Sequence, residues 1–151
     1  MNKIHAIYCD GHCKNKLMSK GYSRIVCNNG NQLKYDYDDL TIVKLNTPKG
    51  ILDVVEVYSP DTPNQQINYA EITALYMALR YSIDNNIKMI YIGSKTSNAW
   101  SCGRISKKIK DKNKLEICQK ATKLRKIFEQ NNGIIKIVSG KDNLADFGYH
   151  N

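Results

Sequence analysis

Ile7-Tyr8-Cys9-Asp10-Gly11 is a short apolar run that stops on a carboxylate and a glycine. An acid closing a buried strand is costly unless a cation meets it, so Asp10 reads as a candidate metal or catalytic ligand. Taken alone, Asp before Gly is also an ordinary turn signal after a strand. Two later stretches supply companions. Glu71 lies in the amphipathic run Tyr69-Ala70-Glu71-Ile72-Thr73-Ala74-Leu75-Tyr76-Met77-Ala78-Leu79, and Asp146 lies in Asn143-Leu144-Ala145-Asp146-Phe147. The expectation is that the fold gathers Asp10, Glu71 and Asp146 into one acidic pocket on an otherwise basic chain.

Outward from the first strand, at positions 3–9, the polar stretch 11–20 reads as a loop and 21–27 as a second strand. Asn28-Asn29-Gly30-Asn31 is a hairpin signal, because Asn and Gly tolerate positive φ, and a third strand is expected over 32–37. Positions 40–45 and 51–58 are β-prone and separated by Asn46-Thr47-Pro48-Lys49-Gly50. They read either as an added hairpin or as a long, interrupted third strand. From 68 to 82 the apolar positions Ile72, Leu75, Tyr76, Leu79 and Ile83 recur every three or four residues, the spacing of one buried helical face. Glu71 then falls in the first turn, where the helix dipole alone would favour its charge. A buried strand over 88–92 follows, parallel to the first through a β-α-β crossover. A short helix runs from Gly93-Ser94-Lys95-Thr96 through Trp100. A long helix over 114–130 presents Ile117, Ala121, Leu124 and Phe128 and stops at Asn131-Asn132-Gly133. A last strand covers 134–138, ahead of a polar tail. This order predicts an α/β fold with a mixed five-stranded sheet, three antiparallel strands extended by parallel ones, flanked by helices.

Length suits a single domain over 1–151, with a probable β insertion around 38–60. Charged residues at 25% and hydrophobic ones at 42% argue against wholesale disorder. No apolar run approaches the ~20 residues that span a bilayer, and no signal-peptide pattern opens the chain. A soluble, cytoplasmic monomer is expected, with no membrane partner. The five cysteines lack the paired spacing of a zinc site, and Cys9, His12 and Cys13 have no evident fourth ligand. The formal charge of +9 suits a polyanionic partner. Lys107, Lys108, Lys110, Lys112 and Lys114 crowd together just after Arg104. Such a cluster is either a solvated helix face or a set of phosphate contacts.

Five motifs in order resemble the type 1 ribonucleases H: Tyr8-Cys9-Asp10-Gly11, Gly21-Tyr22, Asn68-x-Ala70-Glu71, Ile90-Tyr91-Ile92-Gly93-Ser94-Lys95-Thr96 and Asn143-Leu144-Ala145-Asp146. The resemblance spans nearly the whole chain. It implies a ribonuclease H-like fold and hydrolysis of the RNA strand of RNA/DNA hybrids by two Mg²⁺ ions, with Mn²⁺ as a possible substitute. Hard cations of this kind take oxygen ligands. By resemblance Asp10 bridges the ions, Glu71 holds one and Asp146 the other. Asn68 and Ser94 then meet the nucleic acid near the site, while Arg104, Lys107, Lys108 and Lys110 fall where some members carry a basic handle that grips the DNA strand.

The pattern breaks at Gly93, where the family has a third aspartate. A glycine supplies no ligand, which weakens one ion site. A degenerate relative that binds without cutting, an introduced substitution, or a stand-in ligand such as water or Asp84 would each account for it. Two functions of different class follow: a metal-dependent endonuclease impaired at Gly93, or a catalytically silent module that binds hybrid on the same fold. No histidine matches the product-release loop of some members.

Overall fold

The structure, a computed structural model, describes residues 6–13, 21–27, 41–47, 50–59, 66–105 and 112–146. Six strands form one sheet: β1 (Ile7–Cys13), β2 (Gly21–Cys27), β3 (Thr41–Thr47), β4 (Gly50–Ser59), β5 (Met89–Ile92) and β6 (Ile134–Ile137). Three helices, α1 (Gln66–Asp84), α2 (Lys95–Ser101) and α3 (Lys112–Gln130), and a 3-10 turn (Gly140–Asp142) complete the described chain. The spatial order of strands is β3-β4-β2-β1-β5-β6. β1, β2, β4 and β3 pair antiparallel, and β5 and β6 extend the sheet in parallel from β1.

The expected class, a mixed antiparallel and parallel sheet with helices, is what the chain forms. Of the two readings of 40–45 and 51–58, the added hairpin is the one that forms, and the described strands number six rather than five. β4 pairs directly with β2, and β3 pairs with β4 as the edge of the sheet. The hairpin expected at 28–31 and the strand at 32–37 lie outside the described residues.

Helix ends follow local chemistry. Asn86 and Asn132 take left-handed backbone conformations, φ 56° and 68°, which Asn tolerates better than most residues. Each lets the chain turn back on the helix it leaves. The Ile87 N–H donates to the Ser82 carbonyl at 2.9 Å and the Gly133 N–H to the Phe128 carbonyl at 2.8 Å, satisfying carbonyls that the helix itself leaves open.

Alternation along the strands divides the sheet into two faces. Ile7, Cys9, Ile25, Cys27, Ile90 and Ile92 join one buried cluster with Ile72, Leu75, Ala78 and Leu79 of α1, Trp100 of α2, and Cys118, Ala121 and Phe128 of α3. Trp100 and the cysteines of this cluster are core residues, as their types suggest. Tyr8, Asp10 and Arg24 alternate onto the other face, in register with Tyr91, Arg24 and Glu56 of their neighbours.

Gly11 sets how closely α1 approaches β1. A side-chain carbon there would come within 2.6 Å of the Glu71 Cα and 2.5 Å of the Ala70 carbonyl carbon. Both are backbone atoms, which cannot swing aside. The Ser23 hydroxyl on β2 donates to the Ala70 carbonyl at 2.6 Å, pinning the same turn of helix. Gly11→Ala is therefore expected to cost about 1–3 kcal/mol or more, read as a lowered urea midpoint. It should also move Glu71 away from Asp10.

Candidate active site

β5 stays paired with β1 only as far as the Cys9–Ile92 pair. Beyond it the strands part, and Asp10 sits at the opening. The charges of Glu71 and Asp146 both reach Asp10 there. Burial, then Glu71, then Asp146 push the Asp10 carboxyl up from 3.8 to about 8, against a smaller opposing pull from Arg24 and a hydrogen bond from the Gly11 N–H. Asp10 therefore feels the charge of both other acids that the sequence singled out.

Glu71 is not where the sequence suggested. α1 begins at Gln66, so the helix has no acidic residue in its first turn. The helix dipole, which acts over that turn only, gives no reason for an acid at 71. Burial raises the Glu71 carboxyl, and a hydrogen bond from Ser94 lowers it. A carboxylate buried against its own desolvation and tied down by one hydroxyl is a costly arrangement that packing alone does not call for.

Ser94 is engaged within the protein. Besides its bond to Glu71, its oxygen accepts the Ser97 N–H at 3.0 Å and caps α2. Behind it, buried Arg125 of α3 donates to the Asn98 carbonyl at 3.2 Å, to Asn98 Oδ1 at 2.8 Å and to Ser101 Oγ at 2.7 Å. These bonds hold α2, and with it the hydroxyl that steadies Glu71.

Asp146, 6% exposed, is buried rather than lost in a solvated tail. Asn143, fully buried, places it. The Asn143 amide donates to the Cys9 carbonyl at 3.0 Å, its oxygen accepts the Ala145 N–H at 3.0 Å, and its backbone carbonyl accepts the Asp146 N–H at 3.0 Å. One side chain thus ties the Asp146 turn to the residue before Asp10. Sequence reading gave Asn143 no role, although an Asn three positions ahead of an acid is a turn-forming signal.

Gly93 borders the same opening. A side-chain carbon built on it would lie 3.8 Å from Asp10 Oδ1 and 3.5 Å from Asn143 Nδ2, ordinary contact distances. Its φ lies outside the left-handed range, so the backbone suits any residue. Asp84 cannot replace the missing ligand: it is exposed at the far end of α1, about 20 Å along the axis from Glu71. Asn68 is half-buried one turn before Glu71, and Arg104 is exposed just past α2. Lys107, Lys108 and Lys110 lie outside the described residues.

The donors suit a hard divalent cation in kind, being all carboxylate oxygens. In number they fall short. Among the described residues no group of three or more His, Cys, Asp or Glu side chains is close enough to hold a metal ion. Charge from both acids reaches Asp10, yet the carboxylate oxygens of the described residues do not close into a cage for a metal ion.

Arg24 was missed by sequence reading. It is 6% exposed, stands opposite Asp10 in the β1–β2 register, and is the positive charge that pulls against the raised Asp10 carboxyl. Its signal was visible: a charged residue between Ser23 and the run Ile25-Val26-Cys27, in a strand whose neighbours are all buried.

Compared with solved structures, the chain is similar to the N-terminal RNase H domain of a Mycobacterium tuberculosis protein, determined as a fusion with maltose-binding protein. The TM-score is 0.54 at 15% identity, covering 91% of this chain and 84% of that one. It is similar also to RNase H1 from the halophilic archaeon Halobacterium salinarum, with a TM-score of 0.51 at 16% identity over 89% of this chain and 83% of that one. No family model matches the sequence, and no curated protein matches it. The likeness is one of fold, and the fold is RNase H-like. No helix among the described residues is long and apolar enough to cross a membrane.

Proposed function

We propose that this chain is a ribonuclease H-type endonuclease that hydrolyses the RNA strand of RNA/DNA hybrids with Mg²⁺ or Mn²⁺, at a site weakened by Gly93. The observation that carries the reading is the convergence of Glu71 and Asp146 on Asp10, raised to about 8, in a chain of net charge +9. A buried acid opposed by two others is costly on its own and favourable once a cation joins it. The RNase H-like fold supports the reading.

In this reading Asp10, Glu71 and Asp146 are the residues that hold divalent cations. Bound cations would supply an activated water and charge neutralisation at the scissile phosphate. The rest falls to the chain. Ser94 steadies Glu71 from α2, Asn143 holds the Asp146 turn against β1, and Gly11 lets the Glu71 backbone close on β1. Asn68, half-buried on α1, and exposed Arg104 stand for contacts to the hybrid, with the charges of Lys107, Lys108 and Lys110 assigned to its phosphates. Hybrid recognition then rests on the 2′-hydroxyls of the RNA and on phosphate contacts, which weaken with salt.

The missing carboxylate at 93 and the unfinished cage favour a second reading, a module that binds hybrid without cutting it. A labelled RNA/DNA hybrid incubated with Mg²⁺ or Mn²⁺ separates the two. The nuclease reading expects cleavage confined to the RNA strand and abolished by EDTA. Salt-sensitive binding with an uncut hybrid in both metals would leave the binding module.

A further inference from the structure

The solvent side of α3 carries a charge pattern that the proposed function leaves unused. Buried Lys114, Cys118, Ala121, Arg125 and Phe128 mark the side turned to the core. Opposite them Gln119, Lys123, Lys126 and Gln130, all exposed, recur every three or four residues and so stand in one line. The helix has two acids, Glu116 and Glu129. Glu116 pairs with Lys120 at 3.1 Å and Glu129 with Arg125 at 3.2 Å. Both acids are thus matched by cations other than Lys123 and Lys126, which have no ion pair among the described residues.

Local physics gives these two lysines no purpose within the chain. Lys123 repeats the charge of Lys120 and Lys126 at a spacing of three, where like charges on a helix repel. Neither lies in the last turn, which has no basic residue, so the helix dipole does not favour them. A face kept only for solubility mixes both signs, whereas this one sets its lysines between neutral amides. An external polyanion resolves the conflict. We propose that Gln119, Lys123, Lys126 and Gln130 form a second nucleic-acid surface, on which the two ammonium groups meet successive phosphates of one strand and the amides donate to the phosphate oxygens beside them. α3 leads into β6, which runs parallel to β5 toward the opening beside Asp10. The end of α3 that carries Lys123 and Lys126 therefore lies across the sheet from that opening, and the surface lengthens the grip on a duplex without completing the acidic site.

The assignment rests on the hybrid reading for the identity of the polyanion, and its test reads binding instead of cleavage. Fluorescence anisotropy follows a dye-labelled RNA/DNA hybrid titrated with the full chain in EDTA at several salt concentrations. Lys123→Gln with Lys126→Gln is expected to weaken binding about ten-fold or more at physiological salt, and to lower the slope of log affinity against log salt by about two, one for each lost phosphate contact. Lys123→Arg with Lys126→Arg keeps both charges and should stay within a few-fold of the unaltered chain. Lys88→Gln with Lys136→Gln removes the same charge from two exposed positions at the β5–β6 edge and should cost less than about three-fold. Equal losses from the two Gln pairs would reduce the effect to net charge and overturn the proposal. No loss from the α3 pair would mark a merely solvated face and overturn it too. An α3 pair that keeps its grip on the hybrid but loses one on poly-L-glutamate would assign the face to an acidic protein, with the same consequence. Absence of salt-dependent binding by the unaltered chain would end it outright. Exposed Lys→Gln changes leave the fold standing, and level melting temperatures verify this. If binding depends on both lysines in a chain that cuts nothing, the nuclease reading fails and this surface stands; cleavage by a chain whose grip ignores them gives the reverse.

Discussion

Gly93→Asp is expected to raise metal-dependent hybrid cleavage by about 100-fold or more, the scale on which a missing transition-state contact is felt. The fold already has room for the side chain. Its first carbon would meet Asn143 Nδ2 at 3.5 Å and Asp10 Oδ1 at 3.8 Å, and no left-handed backbone stands in the way. The new carboxylate would add a hard ligand and a negative charge where the described acids alone form no metal-binding group. Metal-free stability should fall, because a further acid joins those that already oppose one another. Initial rates on a fluorescent hybrid, with and without EDTA, measure the gain. A folded Gly93→Asp chain that cuts no faster would count against carboxylate-held cations as the engine of this site.

The second large effect concerns Asp10 and has a defined sign with pH. In the unfolded chain this carboxyl titrates near 3.8, and in the folded chain at about 8. Between those values the folded state keeps a proton that the unfolded state has released. Stability of the metal-free chain therefore falls as pH rises from about 4 to about 8 and levels off above. Glu71, also raised, adds to the same slope. After discounting for the partial exposure of Asp10, its share is roughly 2–4 kcal/mol. Asp10→Asn should flatten the profile and raise the metal-free melting temperature at pH 8, while cleavage drops to background. Added Mn²⁺ should stabilise the unaltered chain more at pH 8 than at pH 5, because a cation favours the ionised carboxylate. Melting curves at several pH values, with EDTA or Mn²⁺, check all of this. An Asp10→Asn chain with an unaltered slope would place the buried titration elsewhere.

Much of this architecture was legible in the residues because it follows from short-range patterning. β2 was bounded correctly by Gly21 and Cys27, and the apolar spacing of α1 and α3 marked the faces that are buried. The three acids stood out because carboxylates next to apolar runs are costly. What the sequence hid depends on contacts made across it. Nothing local says that β4 rather than an earlier segment lies beside β2, since both β-prone stretches carry the same residue types. The start of α1 at Gln66 shifted Glu71 out of the first turn and so removed the dipole as its explanation. Ser94 was assigned to the substrate from its position in a motif, and its bonds to Glu71 and to the α2 N-terminus appear only in three dimensions. Arg24 carried a local warning, but its partner Asp10 lies across a strand pairing that has to be known first.

The Asn143 amide reaches the Cys9 carbonyl across 134 positions of sequence. Contacts so distant pay the largest loop-closure entropy and tend to form late. A nascent chain leaves the ribosome at about 5–20 residues per second, so β1 to β4 and α1 are made several seconds before Asp146. A chain stalled short of residue 140 is thus expected to lack both Asn143 and Asp146, so that the opening beside Asp10 stays unfinished until translation delivers the final clasp.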